Sequence, residues 1–259
     1  MLFTHKISNV IEDHIMKEKF LKRLKDTSQC VVILSGGMDS CIATRLAVEK
    51  YGCENIHALS FFYKQKQQIE LVKAKKIVDV LHIASHEIID ISFLGDMSQS
   101  VSSNIVGGKE MPTIKDILGD PTPQTYVPNR NAILMMISSA YAEINKISTV
   151  ITGLQSQDQY GYYDTTPNFV NSINSVLGQA RKNVVQINAP FLDSSKLEEI
   201  LLLKELDGHV KLLENTMTCY NPNSQGISCG RCPSCSERIM AFIKAKIKDP
   251  IKYQIDIDW

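Results

Sequence analysis

Two clusters of residues in this chain have the types and spacing to do chemistry. The first is Leu34–Ser40, Leu-Ser-Gly-Gly-Met-Asp-Ser, set between the apolar run Val31–Leu34 and the helical-looking segment Cys41–Tyr51. Glycines let a backbone fold close around an anion, and the first unpaired amides of the following helix point at it. The hydroxyls of Ser35 and Ser40 add donors, so the guest such a loop suits is a phosphate chain. No Gly-Lys-Ser/Thr follows, which separates it from the common ATPase loop. The competing reading is an ordinary strand-to-helix turn with a Ser or Asp cap. The second cluster is Cys219-x9-Cys229-x2-Cys232-x2-Cys235, four thiols within 17 residues. Two-residue gaps aim neighbouring sulfurs at one point, as in a closed, tetrahedral, structural Zn²⁺ site. Repeated two-residue gaps also occur in iron–sulfur proteins, and four unligated thiols is the third reading.

Something must position these clusters. The 259 residues are 44% hydrophobic and 22% charged, with 28 basic and 28 acidic side chains. Zero net charge removes the bulk electrostatic case for binding a nucleic-acid backbone. No apolar stretch approaches the ~20 residues needed to span a bilayer, and the N-terminus lacks a signal peptide's apolar core. Seven cysteines, an odd number with one tight cluster, point to a reducing compartment, and the expected location is cytoplasmic. Strand-like runs recur at Val31–Leu34, Ile56–Phe62, Glu87–Ile91, Ser148–Thr152 and Val184–Ile187, with helical patterns between most of them. Leu71, Ala74, Val78 and Leu81 share one helical face. Ile133, Met136, Ile137, Ala140, Tyr141 and Ile144 share another, which reads as core. Alternating strands and helices imply an α/β fold: a Rossmann-like, doubly wound parallel sheet, with ligands at the carboxyl ends of its strands. Three parts are expected: an N-terminal helical extension (1–27), an ATP-binding α/β domain (28–214) and a small C-terminal zinc module (215–259). The Ser-, Asn-, Gly- and Pro-rich stretch from Met97 to Gln124 reads as a lid or binding loop.

The phosphate loop resembles the PP-loop of ATP pyrophosphatases, the adenine nucleotide alpha hydrolase-like enzymes. With the late cysteine knuckle, the chain resembles the 7-cyano-7-deazaguanine synthase (QueC) family of queuosine biosynthesis over nearly its whole length after residue 30. The matching segments are Leu34–Ser40, then Phe62-Tyr63-Lys64-Gln65-Lys66-Gln67 and Glu70, then Val127-Pro128-Asn129-Arg130-Asn131. Gly153, Asp158, Gly161-Tyr162-Tyr163-Asp164, Ala189-Pro190 with Lys196, and Thr218-Cys219-Tyr220 through Cys229 to Arg238 follow in order. The resemblance implies conversion of 7-carboxy-7-deazaguanine, ammonia and ATP to the 7-nitrile, through an adenylated carboxylate and an amide. It implies that Leu34, Ser35, Gly36, Gly37, Asp39, Ser40 and Gly153 hold ATP with Mg²⁺, and that Asp39, Arg130 and Lys196 serve the chemistry. Tyr63, Gln65, Arg130, Asn131, Asp158, Tyr162 and Asp164 would meet the acid, and Cys219, Cys229, Cys232 and Cys235 would hold one structural Zn²⁺. Taken singly, Arg130 also fits a helix cap, Lys196 a solvated helix start, and Asp158 and Asp164 turn formation. Tyr160, Tyr162 and Tyr163 could stack on a base or merely pack.

The chain departs from the family pattern beside the expected acid. Lys64 and Gln67 stand where Gly and His are usual. Gly161-Tyr162-Tyr163-Asp164-Thr165-Thr166 stands for Gly-Tyr-Pro-Asp-Cys-Arg, so Thr166 replaces an arginine able to grip a carboxylate. Three outcomes follow: nitrile formation, arrest at the amide, or a ligase joining a deazaguanine acid to another amine, for instance a protein amine in antiviral defence. The expected partners are small molecules, with neither membrane nor nucleic acid, in a homodimer.

Overall fold

The structure is a computed structural model that describes residues 16–109, 123–155, 162–180 and 182–259. Five parallel strands form one sheet: β1 (Cys30–Ile33), β2 (Ile56–Phe62), β3 (Ser85–Asp90), β4 (Thr149–Ile151) and β5 (Gln186–Asn188). Their order is β3-β2-β1-β4-β5, with Val31 opposite His57 on one side and Val150 on the other. The strand order reverses at β1, the topological switch point where open α/β sheets bind ligands. All five strands fall within a few residues of the runs read from sequence.

Helices cover both faces: α1 (Met38–Tyr51), α2 (Ile69–Leu81), α3 (Ser92–Ser98), α4 (Arg130–Ile144), α5 (Pro167–Leu177), α6 (Lys196–Asp207) and α7 (Pro233–Ala245). Successive strand residues feed opposite layers, as period-two geometry requires. Cys30, Val32, Ala58 and Ile151 join α1, α2, α6 and α7 in one buried cluster. Val31, Leu59, Val150 and Ile187 join α4 and α5 in the other. Residues 16–21 are also helical and bring Phe20 edge-on to Phe191, 5.3 Å between ring centres. Arg23 then donates to Pro190 O at 2.6 Å and to Ser194 Oγ at 3.1 Å, fixing the loop that leads to Lys196.

One helix departs from the sequence expectation. The buried residues of α4 are Asn131, Met135, Ser138, Ser139 and Ala142, whereas Met136 is 40% and Ile144 79% exposed. Small side chains let the helix approach the sheet closely, and Ser139 returns its hydroxyl to Met135 O at 2.7 Å, so its polarity costs little. Hydropathy alone therefore selected only part of the buried face: Ile133, Ile137 and Tyr141 pack against the core as read, while Ala140 lies exposed with Met136 and Ile144.

The cysteine-bearing segment is not isolated from this core. Its helix α7 sends Ala241 and Phe242 into the same buried cluster as α1. Arg238, fully buried, meets Asp249 at 2.7 and 2.9 Å and donates to Thr216, Thr218 and Leu213 O. Every guanidinium edge is thereby matched, the condition under which a buried ion pair is tolerated.

Candidate active site

The segment after β1 runs straight into α1. Gly36 has φ +90°, and a Cβ there would stand 2.1 Å from Glu70 O. Only glycine allows the first turn of α2 to lie this close to the loop. The Gly36 carbonyl accepts from Met217 N at 2.9 Å, tying the loop to the strand of chain before the cysteines. Ser35 Oγ and Ser40 Oγ are 3.0 Å apart, Gly37 N donates to Ser35 Oγ at 3.2 Å, and Ser40 Oγ returns to Gly37 O at 3.2 Å. Leu34 is buried, and its carbonyl accepts from Ser60 Oγ at 2.6 Å, with His86 behind that serine at 2.9 Å. Gly153 follows the neighbouring strand β4, and a Cβ on it would stand 2.6 Å from Ser40 N. The loop is thus preformed: its hydroxyls are mutually oriented, and the free amides of the α1 N-terminus face outward.

Lys196 is not a solvated helix start. It is 3% exposed, and its Nζ meets both Asp39 carboxylate oxygens at 3.1 and 3.0 Å. Ser195 caps α6 reciprocally with Glu198, so the lysine sits on a fixed helix start directly above α1. Glu237 of α7 approaches the same ammonium at 4.0 Å.

These groups open on a cleft with a cavity volume of about 250 Å³. One wall is the loop with Asp39, Gly153 and Lys196. The other brings in Tyr63, Gln65, Glu70, Asn104, Arg130, Asn131 and Tyr162. Arg130 Nη1 lies 3.5 Å from the Tyr63 hydroxyl. Burial works against the Arg130 charge, and Tyr63, Asp164 and Tyr162 restore it, so the guanidinium stays ionised. Burial pushes the Tyr63 phenol up, opposed by Arg130. Asp164, 1% exposed, lies behind the wall, not on it: its Oδ2 and carbonyl hold Asn131 at 3.3 and 3.4 Å, and burial raises its pKa against the pull of Arg130. Gln65 spends its amide on the backbone, accepting from Tyr63 N at 2.9 Å and donating to Phe61 O at 3.0 Å. Tyr162 hydrogen-bonds Thr125 through its hydroxyl. Asp158, Tyr160 and Gly161 lie outside the described residues, as do residues 110–122 of the stretch read as a lid.

Several residues lining the cleft were not singled out as site residues from sequence, among them Asn104, Glu70 and Gln67. Asn104 is buried, donates to Thr125 O at 2.8 Å and leaves its Oδ1 unpartnered. It belongs to a polar loop whose pairing with residues 64–66 only the fold reveals, through Gln65 opposite Ile105. Glu70 had a signal, its place in the matched segment, but no spacing that linked it to the loop. Gln67 donates to Tyr220 O at 2.6 Å and joins the wall to the cysteine segment.

The departures have local explanations. Lys64 has φ +60°, the conformation that favours the glycine usual there, and its ammonium pairs with Asp96. Thr166 caps α5, accepting from Phe169 N at 3.2 Å ahead of Pro167.

The sulfurs of Cys219, Cys229, Cys232 and Cys235 lie within 4.8 Å of one another and could hold a metal ion. Backbone N–H groups of Tyr220, Asn221, Cys229, Arg231, Cys232 and Cys235 point at three of these sulfurs at 3.2–3.5 Å. Donors so aimed stabilise thiolate charge, the form that binds metal. No helix among the described residues is long and apolar enough to cross a membrane.

The chain is similar in sequence to known proteins over most of its length. The family model described as queuosine biosynthesis protein QueC matches residues 29–246. A 7-cyano-7-deazaguanine synthase from Rickettsia felis is 32% identical over 229 residues, covering 87% of this chain and 99% of that protein. One from Caldicellulosiruptor bescii is 36% identical over 232 residues, covering 89% and 100%. Among solved structures, NMN synthetase from Francisella tularensis aligns with a TM-score of 0.49 at 20% identity, covering 91% of this chain and 87% of that one. A match running from just before β1 to the end of α7 makes this chain a member of the QueC family.

Proposed function

We propose that this protein converts 7-carboxy-7-deazaguanine and ammonia to 7-cyano-7-deazaguanine at the expense of ATP. The observation that carries the reading is the preformed anion loop facing Arg130 across one cleft, in a chain similar to synthases of that name. A carboxylate is a poor electrophile, so its oxygen must first become a leaving group. Attack of that oxygen on the α-phosphorus gives an acyl adenylate and pyrophosphate. Ammonia then displaces AMP to give the amide. A second adenylation, on the amide oxygen, allows loss of AMP and two protons to leave the nitrile.

In this reading the amides and hydroxyls from Ser35 to Ser40 cradle the phosphates, with Mg²⁺ accompanying the nucleotide. Lys196, oriented by Asp39, offers positive charge to the leaving pyrophosphate. Arg130 grips the acid's carboxylate, its orientation set by Tyr63 and Asn131. The unpartnered Asn104 Oδ1 accepts from a donor edge of the heterocycle. The cysteine set suits Zn²⁺: a tetrahedral ZnS₄ site with Zn–S of about 2.3 Å has sulfur–sulfur edges of about 3.8 Å. Cys229–Cys235 and Cys232–Cys219 stand at 3.9 and 4.0 Å, whereas a cluster interposes its own irons and sulfides. The metal would hold the C-terminal segment, residues 215–259, against the α/β domain. Thiol ligands of this kind fit a cytoplasmic setting. The Thr166 departure is taken up by helix capping, so no observation favours coupling to a different amine.

The test is to incubate the protein with ATP, the acid and ammonium and read product masses. Nitrile with AMP and pyrophosphate supports the proposal. Amide alone would truncate it, and ADP would contradict it.

A further inference from the structure

Amide formation has a requirement that adenylation does not meet. At neutral pH ammonia is mostly ammonium, which has no lone pair, and an amine that attacks an acyl carbon must lose a proton as the bond forms. Some group at the cleft must take it. Asp39 has both oxygens engaged by Lys196, and Asp164 lies behind the wall beneath Asn131. Glu237 approaches Lys196 from the rim, its side chain 41% exposed.

Glu70 differs from all three. It lies in the first turn of α2, its backbone carbonyl pressed against the phosphate loop at Gly36, and it lines the cleft on the same wall as Arg130. Among the described residues no side chain or backbone group hydrogen-bonds its carboxylate. From these placements we infer that Glu70 is the general base that accepts the proton of the attacking amine, an inference that rests on the carboxylate-activation reading above. The step balances: the amine nitrogen forms the C–N bond, the C–O bond to AMP breaks with its electron pair leaving on phosphate oxygen, and one proton passes to Glu70. After releasing that proton to solvent, the same carboxylate acts again in the second round. It takes one of the two protons lost from nitrogen as AMP departs and the triple bond forms, the other having passed to solvent on adenylation of the amide.

The surroundings suit the task. Burial pushes the Glu70 carboxyl up to about 8, and Arg130 from α4 pulls it back. The Tyr63 phenol, from the turn after β2, is the other titratable group that interacts with it. The facing loop contributes hydroxyls and the paired Asp39. A carboxyl of this kind is a stronger base than an ordinary one and remains partly ionised near neutral pH, where proton transfer is most effective.

Two assays on full-length protein separate this inference from the reading beneath it. Wild-type protein should show acid-dependent exchange between ATP and pyrophosphate; if it does not, the activation reading fails. Glu70→Gln should keep that exchange yet lose about 10²- to 10⁴-fold in kcat/KM for ammonium. Hydroxylamine, already neutral at pH 7 and a stronger nucleophile, still sheds a proton on attack but needs no prior deprotonation. Hydroxamate formation should therefore fall markedly less than ammonium turnover, and Glu70→Asp should recover part of the ammonium rate. The wild-type-to-Gln ratio should grow as pH rises through about 8, where the base becomes ionised. Unchanged ammonium turnover, equal losses with both nucleophiles, or lost exchange in Glu70→Gln would each overturn the assignment.

Discussion

The two walls of the cleft are built on different principles. The nucleotide wall is founded on one continuous stretch of chain, in which strand β1, the loop and α1 follow one another and Ser35, Gly37 and Ser40 satisfy each other locally, with Gly153 and Lys196 added from β4 and α6. The facing wall is assembled from four separate segments, around residues 63–70, 104, 130–131 and 162–165, joined by contacts long in sequence. It also holds the unpartnered Asn104 amide oxygen, with the unpartnered Asp164 Oδ1 behind it, and the Glu70 carboxylate. The difference teaches where rigidity and discrimination reside. A common phosphate needs a preorganised backbone cradle, while a particular acid is read by side chains left unsatisfied until it arrives.

Substitutions can break that division, and the largest effect is expected on the nucleotide wall. Gly36→Ala forces a Cβ into Glu70 O at a positive φ and should weaken binding of a non-hydrolysable ATP analogue by at least about 10²-fold by calorimetry. Retained affinity would mean the loop tolerates remodelling. Arg130→Met should raise KM for the acid about 10- to 100-fold, the worth of one charged hydrogen-bonded contact, with analogue affinity unchanged. Equal losses for both ligands would dissolve the distinction between the walls. Asn104→Leu should raise the same KM about 10-fold, and an unaltered KM would remove Asn104 from recognition.

How much of this was legible beforehand follows the same line. The strand-loop-helix unit, the sheet class and the four thiols are written in contiguous residues, and chain geometry alone predicts their placement. Lys196 read locally as a solvated helix start, and only the packing of α6 on α1 reveals it buried against Asp39. The α4 face was misjudged only in part: Ile133, Ile137 and Tyr141 pack inward as read, but Ser138 and Ser139 are buried while Met136 faces outward. Close helix–sheet approach rewards small volume there, a preference invisible to hydropathy. Asn104 and Glu70 acquire meaning only once the turn after β2 is paired with residues 103–106 and α2 is laid on the loop.

The smallest effect should fall outside both walls. Thr166→Ala removes the cap of α5 and should cost about 1 kcal/mol, read as a Tm lower by a few degrees, with KM for the acid unchanged. A marked rise in that KM would return position 166 to substrate recognition.

The central claim, that the loop after β1 directs the α-phosphorus of ATP onto the acid's own oxygen, is tested most directly by isotope. With ¹⁸O in both carboxylate oxygens of 7-carboxy-7-deazaguanine, a single turnover to the nitrile should release two AMP, each carrying one labelled oxygen. Unlabelled AMP, or label appearing in inorganic phosphate, would contradict the account.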